Sequence, residues 1–380
     1  MAPKKKKAEP PKRAANIAAE IENAGVVIEQ PITETLETNF MPYAMSVIIS
    51  RAIPEIDGFK PAHRKLLYTM YKMGLLTGAR TKSANIVGQT MRLNPHGDAA
   101  IYETMVRLTR GNQALLHPYV DSKGNFGKAY SRDMAYAAAR YTEAKLDPIC
   151  NELFADIDKD TVDFQDNYDG SMKEPALLPV RFPSILLNSN IGIAVSMASA
   201  ICPFNLEELC DTTIALMKNP DHDLLTTLTA PDFPGGGYIL YDEAQLRKIY
   251  ETGRGSIRVR ARYHYDKAAN CLEITEIPPT TTIEAIIDKI VELVKGGKMR
   301  EVADIRDETD LSGLKIAVDL KRGVDPERLM QKLFRMTPLE DTMSCNFNVL
   351  IGGYPRVMGA RELLEEWTAF REECVKRRVY

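Results

Sequence analysis

The second half of this 380-residue chain alternates between two hydrophobic periodicities, and this alternation restricts the possible folds more than any other feature. The runs "CLEITEI", "LKIAVDL" and "CNFNVLI" are short and rich in β-branched residues, which is typical of strands. Between them, "TIEAIIDKIVELVKGG" and "DPERLMQKLFRM" repeat apolar residues at helical spacing. Upstream, "SIRVRARYHY" predicts a strand with Arg258, Arg260 and Arg262 on one face. This mixture predicts an α+β architecture with open sheets.

The first half predicts several short helices. Leu66, Leu67 and Met70 share one face of the first helix. Two further candidates, "KSANIVGQTMRL" and "DAAIYETMVRLTR", are separated by "NPHG", which predicts a helix-turn-helix. Downstream, "SRDMAYAAA" predicts another helix and "RYTEAKL" an extended strand or wing. Asp147 and Pro148 predict the N-cap and first turn of the helix that follows.

Charge is distributed unevenly although the net charge is only -3. Residues 41–145 carry fifteen Lys and Arg against seven Asp and Glu, whereas residues 146–179 carry two bases against nine acids. This asymmetry fits a polyanion-binding face backed by an acidic segment, and chance variation in solvated surfaces explains it equally well.

Several site classes are disfavoured by the residues alone. The six cysteines form no CxxC or Cys/His cluster, so no zinc site or disulfide frame is expected. "PDFPGGGY" lacks the Lys of a phosphate-binding loop, and "DIDKDTVDFQD" lacks the Gly and terminal Glu of a calcium loop. No apolar run reaches the length of a membrane span, and no secretory signal is recognised, so we expect no membrane partner. For Tyr141, sequence physics alone favours a structural ring over a nucleophile.

Seven motifs that occur in order indicate a family. They are "YAMSVIISRAIPEIDGFKPAHRKLLYTM", "NPHGDAAIYE", "VDSKGNFG", "AARYTE", "TVDFQDNYDGS", "GIAVSMAS" and "APDFPGG". From about Glu34 to Tyr380 the chain closely resembles the breakage-reunion part of the A subunits of bacterial DNA gyrase and topoisomerase IV. These are type IIA DNA topoisomerases.

The resemblance implies an α+β fold in which a winged-helix domain is followed by an α+β tower domain and the start of a coiled-coil helix. The corresponding ranges are a disordered basic tail and N-terminal arm (1–32), a winged-helix DNA-cleavage domain (33–165), a tower (166–358) and the helix start (359–380). Without the exit gate and C-terminal domain of the family, we expect DNA cleavage with a partner subunit but no complete strand passage.

The resemblance also implies a chemical role for Tyr141. In the family this tyrosine attacks a DNA phosphodiester and stays linked to the 5′ phosphate while a 3′ hydroxyl leaves. A phenol of pKa about 10 is a good leaving group, so the break can be resealed without ATP. Arg140, Arg51 and His96 would polarise the phosphate and absorb charge in the transition state.

Further residues are expected to bind DNA or drugs by the same resemblance. Ile193 matches a wedge residue that enters the base stack and bends the duplex. Quinolone drugs in this family are held by a serine and an acid at the positions of Ala99 and Glu103, so the missing hydroxyl predicts weak drug trapping. Asn94 stands where the family usually has a histidine, which places that histidine's role in doubt. The other expected DNA contacts are Lys60, His63, Arg64, Lys65, Lys82, Arg258 and Arg260.

The implied assembly is a homodimer that joins two B subunits in a heterotetramer and acts on double-stranded DNA in the bacterial cytoplasm, at the nucleoid. No metal ligands are expected in this chain, because the resemblance places Mg²⁺ and ATP on the B subunit. The alternative function is a non-catalytic winged-helix DNA-binding or architectural protein, for which Tyr141 would be dispensable. The choice between gyrase and topoisomerase IV stays open at this stage.

Overall fold

A computed structural model describes residues 29–380 of the chain. The chain divides into two compact units, residues 1–45 and 46–380. In the first unit, the described residues form helix Ile32–Thr35 (α1) and a π-helical turn, Leu36–Phe40, before helix Met41–Val47 (α2) begins. Most of the predicted basic tail, residues 1–28, lies outside the described residues.

The second unit contains a π-helical turn, Ile48–Ala52, and nine further α-helices within its described residues. The helices are Pro61–Lys72 (α3), Ser83–Thr90 (α4), Asp98–Leu108 (α5), Asn151–Phe154 (α6), Leu206–Lys218 (α7), Glu243–Thr252 (α8), Ile283–Lys295 (α9), Pro326–Met336 (α10) and Ala360–Val379 (α11). Short 3₁₀ turns cover Pro148–Cys150, Ser184–Leu186 and Leu224–Thr226.

Sixteen strands complete the described part of this unit. The strands are Thr81–Lys82 (β1), Val120–Lys123 (β2), Glu143–Leu146 (β3), Phe164–Asp166 (β4), Lys173–Pro175 (β5), Asn190–Ile193 (β6), Ala198–Ile201 (β7), Tyr238–Ile239 (β8), Arg254–Arg260 (β9), Arg262–Asp266 (β10), Cys271–Glu276 (β11), Val302–Asp307 (β12), Ile316–Leu320 (β13), Glu340–Asn346 (β14), Asn348–Ile351 (β15) and Tyr354–Val357 (β16). They form antiparallel sheets of order β1-β3-β2, β10-β11-β13-β12 and β6-β7-β14-β9-β8, and two hairpins, β4-β5 and β15-β16. The α+β prediction is confirmed.

The helix pair α4 and α5 lies beside the three-stranded sheet, which is the arrangement of a winged helix. Leu66, Leu67 and Met70 of α3 are fully buried, as their spacing predicts. The side chain of Asp147 caps the turn Pro148–Cys150 by accepting a hydrogen bond from the N–H of Ile149, also as predicted. The following helix, α6, ends after one turn, at Phe154.

Two large hydrophobic cores lie in the second unit. One extends from Ile56 to Cys374 and joins the winged-helix elements to the five-stranded sheet and α11. The other is confined to residues 261–339, where α9 and α10 cover the four-stranded sheet. The first core continues across position 165, so the predicted boundary between winged helix and tower stays a prediction.

Two local predictions are wrong. "SRDMAYAAA" is not a helix: it runs through bends and a single bridge between Phe126 and Tyr136, because its backbone groups bond to distant residues. "SIRVRARYHY" is not one strand, since β9 ends at Arg260 and β10 begins at Arg262 in a different sheet. The strand β12 was not predicted, because "VADIRD" has too few apolar residues to stand out.

Candidate nucleic-acid interface

Tyr141 lies in a tight turn that precedes strand β3. The turn is closed by a hydrogen bond from the N–H of Tyr141 to the carbonyl oxygen of Ala138, at 2.9 Å. Around it, the N–H of Ser83 donates to the carbonyl oxygen of Thr142 at 3.0 Å, and the Thr142 hydroxyl donates to the Ser83 hydroxyl at 2.8 Å. Because Ser83 opens α4, the turn is held directly on the first helix of the pair.

The second helix of the pair also holds this turn. The hydroxyl of Tyr102, in α5, donates to the carbonyl oxygen of Ala137 at 2.7 Å and lies 2.9 Å from the Thr142 hydroxyl. Thr142 itself is fully buried. The backbone on both sides of Tyr141 is therefore fixed by buried hydrogen bonds, while its side chain projects outward.

The side chains of Arg140 and Tyr141 form an exposed pair. Tyr141 is 65% exposed, and the guanidinium carbon of Arg140 lies 4.7 Å from the centre of its ring. A cation over an aromatic face is attracted by the ring quadrupole, which keeps the positive charge next to the phenol. An anionic group that approaches the exposed hydroxyl can accept charge-assisted hydrogen bonds from the guanidinium beside it.

Arg51 and His96 are exposed as well. Neither side chain makes a hydrogen bond or an ion pair with any residue in 29–380. Their expected contact with a phosphate stays a prediction that is compatible with their exposure. Asn94, by contrast, is buried, with 7% of its surface exposed.

Arg64 does not lie where the sequence predicts. Its guanidinium is buried and donates from Nε and Nη2 to the Asp57 carboxylate, both at 2.8 Å. Nη2 also lies 2.8 Å from the Glu55 carboxylate. Asp57 is fully buried and accepts a further hydrogen bond from the N–H of Leu178 at 2.9 Å. The predicted contact between Arg64 and the DNA backbone is therefore replaced by a structural ion pair that joins α3 to the segment around Leu178.

Lys60 and His63 are near each other at the start of α3. The Lys60 ammonium donates to the carbonyl oxygen of Ile191 at 2.7 Å. Burial, with a smaller contribution from Arg107, lowers the pKa of Lys60 to about 8. Burial and then the charges of Lys60 and Arg64 lower the pKa of His63 to about 3. His63 is thus a neutral imidazole at pH 7, able to form hydrogen bonds but not to supply positive charge.

The remaining basic candidates already have partners in the protein. The Lys65 ammonium donates to the carbonyl oxygen of Leu93 at 3.0 Å. Lys82 pairs with Glu143 at 2.9 Å on the strand next to Tyr141. Arg258 and Arg260 both pair with the Glu340 carboxylate, Arg258 at 3.2 Å. Exposed pairs of this kind contribute little stability, so Lys82 and Arg258 can exchange their carboxylate for a phosphate at low cost.

Ile193 projects from the tip of a β-hairpin formed by β6 and β7. It pairs with Ala198, and the N–H of Ala194 closes the turn by donating to the carbonyl oxygen of Met197 at 2.8 Å. Strand alternation puts Ile191 and Ile193 on the outer face, where they are 63% and 83% exposed. Two isoleucines exposed to this degree on one strand face form an apolar edge with no partner inside residues 46–380.

A cavity of about 890 Å³ lies between this hairpin, α5, the loop of residues 127–136 and the four-stranded sheet. Its lining includes the cations Arg107, Lys128 and Arg132 but a single carboxylate, Glu103. The local excess of positive charge agrees with the charge distribution along the sequence. Such a cleft attracts an anionic ligand.

Sequence patterns did not reveal the role of Glu284, the second residue of α9. Its carboxylate accepts hydrogen bonds from the Ser131 hydroxyl and from the N–H groups of Arg132 and Asp133, the latter two at 3.0 and 3.2 Å. Burial would raise the pKa of Glu284, but these hydrogen bonds outweigh it and lower the pKa to about 2. The bonds join α9 to the segment that leads into the turn of Tyr141.

Ala99 and Glu103 lie one turn apart on the exposed face of α5, as predicted. Glu103 is not isolated there: its carboxylate accepts a hydrogen bond from Arg107 at 2.8 Å. Both side chains of that pair are more than half exposed, so the pairing is weak.

Residues 29–380 offer no arrangement for a metal ion. No group of three His, Cys, Asp or Glu side chains in that range is placed so that it could hold one. In the same range, no helix is both long enough and apolar enough to cross a lipid bilayer.

Residues 51–380 match the family of DNA gyrase/topoisomerase IV A subunits, and the chain belongs to that family. Among its relatives, the DNA gyrase A subunit of Borreliella burgdorferi is 41% identical over 367 residues, which are 94% of this chain and 45% of the relative. The DNA gyrase A subunit of Halalkalibacterium halodurans is 42% identical over 361 residues, 93% of this chain and 43% of the relative. The DNA gyrase A subunit of Granulibacter bethesdensis is 42% identical over 368 residues, which are 94% of this chain and 39% of the relative. The chain spans less than half the length of these relatives.

Proposed function

We propose that this chain is the DNA-cleaving and DNA-religating core of a type IIA topoisomerase A subunit, with Tyr141 as the nucleophile. The observation that carries the proposal is the Arg140–Tyr141 pair, in which an exposed phenol lies under a guanidinium on a rigidly held turn. Membership of the family supports it, because the names of the relatives specify a DNA gyrase subunit.

In the proposed reaction the Tyr141 phenol releases its proton to solvent, and its oxygen attacks a backbone phosphorus and forms a new phosphotyrosyl bond. The bond between phosphorus and the 3′ oxygen breaks, and that oxygen leaves as a hydroxyl after taking up a proton. One phosphodiester replaces another, so little free energy is lost and the reverse attack by the 3′ hydroxyl reseals the strand. Arg140 at the ring, with Arg51 and His96, would stabilise the negative charge that develops on the phosphate oxygens.

The proposed assembly contains two copies of this chain, so that two tyrosines break both strands, and two copies of a B subunit. We assign ATP and Mg²⁺ to the B subunit. In residues 29–380 no three His, Cys, Asp or Glu side chains are placed so that they could hold a metal ion. Supercoiling and decatenation would both follow from the same cleavage chemistry.

The proposal is tested by cleavage of end-labelled duplex DNA by this chain in the presence of Mg²⁺ and the cognate B subunit, with detergent used to trap the adduct. We expect the wild-type chain to become attached to 5′ ends. Tyr141→Phe removes only the hydroxyl, so it should bind DNA with unchanged affinity and form no adduct. Equal adduct from the Phe variant would exclude Tyr141 as the nucleophile and favour a non-catalytic DNA-binding or architectural protein.

A further inference from the structure

We propose that Gly192 and Lys60 are positioning residues, which hold the hairpin of Ile193 at a fixed place on the helical turn that carries Arg51. The inference rests on the proposed function, in which Ile193 enters the base stack and Arg51 contacts the phosphate. Neither Gly192 nor Lys60 needs to touch the reacting atoms for this role. Together they would fix the separation between the residue that bends DNA and a residue of the cleavage site.

The first observation is the close approach of Gly192 to Ala52. A Cβ atom added to Gly192 would overlap the carbonyl oxygen of Ala52 and lie 2.9 Å from its carbonyl carbon. Both obstacles are backbone atoms, so no side-chain rotation could relieve the clash. The hairpin can therefore lie this close to the turn Ile48–Ala52 only with glycine at position 192, and Ala52 is the direct neighbour of Arg51.

The second observation is the hydrogen bond from the Lys60 ammonium to the carbonyl oxygen of Ile191, at 2.7 Å. Ile191 is adjacent to Gly192, and Lys60 directly precedes α3, so this bond ties the outer strand of the hairpin to a buried helix. Lys60 was expected to bind the DNA backbone. Its ammonium instead bonds to the strand that bears Ile193.

The third observation is a small apolar cluster below the hairpin. Ile48, Ala52, Ile53 and Leu350 are buried together, and Ala194, which follows Ile193, packs against them. Three contacts of different chemistry thus hold three parts of the hairpin, at residues 191, 192 and 194. The side chains of the two isoleucines on the outer face take no part in these contacts.

The mechanical reason for such support follows from the proposed task of Ile193. Unstacking a base step costs a few kcal/mol, and the same force acts back on the inserted side chain. The hairpin joins the five-stranded sheet only near its base, where Ala200 of β7 pairs with Asn346 of β14, so its tip would yield without further support. The hydrogen bond at Ile191 and the backbone contact at Gly192 transfer that force to the helices, so that bending the duplex also brings its phosphate towards Arg51.

The experiment compares Gly192→Ala, Lys60→Met and Ile193→Ala in the full chain. DNA bending is measured by fluorescence transfer across a doubly labelled duplex, DNA affinity over a range of salt concentrations, and cleavage with Mg²⁺ and the B subunit. Gly88→Ala is the matched control, because a Cβ at Gly88 in α4 would meet no atom within 4 Å.

We expect Gly192→Ala to retain wild-type DNA affinity and its salt dependence but to bend DNA less. Cleavage should fall on the order of tenfold to a hundredfold, which is what displacement of a reactive group by about 1 Å can cost. Lys60→Met should show the same pattern, with a melting temperature that confirms folding. Loss of a true phosphate contact would instead lower the slope of log affinity against log salt by about 0.9.

The outcomes separate this inference from the function on which it rests. If Ile193→Ala bends DNA normally, Ile193 is not a wedge and the proposed bending role fails. If Ile193→Ala is defective but Gly192→Ala bends and cleaves like wild type, the positioning inference is wrong while the proposed function stands. A lower salt slope in Lys60→Met, with or without a change in bending, would make Lys60 a phosphate contact and remove it from the positioning role.

Discussion

Asp57→Asn should lower the free energy of unfolding more than any surface substitution near the candidate site. The wild-type carboxylate is fully buried and accepts two hydrogen bonds from Arg64 at 2.8 Å, one from Leu178 at 2.9 Å and one from Phe59 at 3.2 Å. An asparagine has one acceptor oxygen, and its amide N–H groups would face the N–H groups of Arg64. Breaking a buried pair from one side costs about 3 to 5 kcal/mol, because a buried charge remains. Glu55 still neutralises Arg64 in part, so we expect a value of about 3 kcal/mol.

Urea unfolding can be followed by the fluorescence of Trp367, the single tryptophan, which is buried in the same core as α3. The decisive comparison is Asp57→Asn/Arg64→Met, which removes both charges. This double variant should be more stable than Asp57→Asn alone, since no unpaired cation is left. Asp288→Asn is the control, because its pair with Arg132 is exposed and contributes about 0 to 1 kcal/mol. The reasoning would be refuted if Asp57→Asn lowered the free energy of unfolding by less than about 1 kcal/mol, or if the double variant were less stable than Asp57→Asn alone.

Two further predictions concern drug response and pH. Ala99→Ser should lower the quinolone concentration that gives half-maximal cleavage about three- to tenfold, because it restores one water-mediated hydrogen bond. Cleavage without drug should stay unchanged. Equal half-maximal concentrations for the two proteins would contradict this prediction. Glu284→Gln should reduce stability at pH 7 by about 1 to 2 kcal/mol, discounted for partial exposure. Because the folded pKa is lowered from 4.5 to about 2, the wild-type advantage is present above pH 4.5 and is lost as pH falls towards 2. Urea midpoints of both proteins at pH 7, 4 and 3 should converge as pH falls through this window, and a gap at pH 3 as large as that at pH 7 would exclude the carboxylate as the cause.

Local patterns predicted those elements whose backbone partners are near in sequence. The helix pair α4 and α5, the cap at Asp147 and the buried face of α3 all depend on neighbours within a few residues. The α+β architecture followed from the alternation of strand and helix periods. These features need no knowledge of distant contacts.

The wrong predictions concern segments whose structure is decided by residues that are distant in the sequence. "SRDMAYAAA" has high helical propensity, yet backbone groups that a helix would use bond elsewhere. The N–H of Ala137 donates to the carbonyl oxygen of Asn125, and the carbonyl oxygen of Ala139 accepts from the N–H of Ala84. Arg64 looked like an exposed phosphate ligand, but Asp57 and Glu55 bury it. At Ala261 the alternation of buried and exposed residues continues without a break, so nothing local signals the change of sheet.

The candidate site was located by resemblance more than by physics. Tyr141 follows no pattern that distinguishes it from the other fifteen tyrosines, and only the seven ordered motifs indicated it. The structure adds its exposure and the guanidinium above its ring. Gly192 could not be predicted to need its missing Cβ, because the obstructing carbonyl belongs to a residue 140 positions earlier in the chain.

The second hydrophobic core has a consequence for how this fold can change in length. The chain enters that region at Ala261 and leaves it at Leu339, and the N–H of Ala261 donates to the carbonyl oxygen of Leu339 at 2.7 Å. Arg260, which directly precedes this region, pairs with Glu340, which directly follows it, in the antiparallel ladder of β9 and β14. A tight turn could therefore close the same ladder, and residues 261–339 are topologically an insertion at a hairpin end. Evolution or engineering can enlarge, exchange or remove such an insertion without rerouting the sheet that supports the Ile193 hairpin.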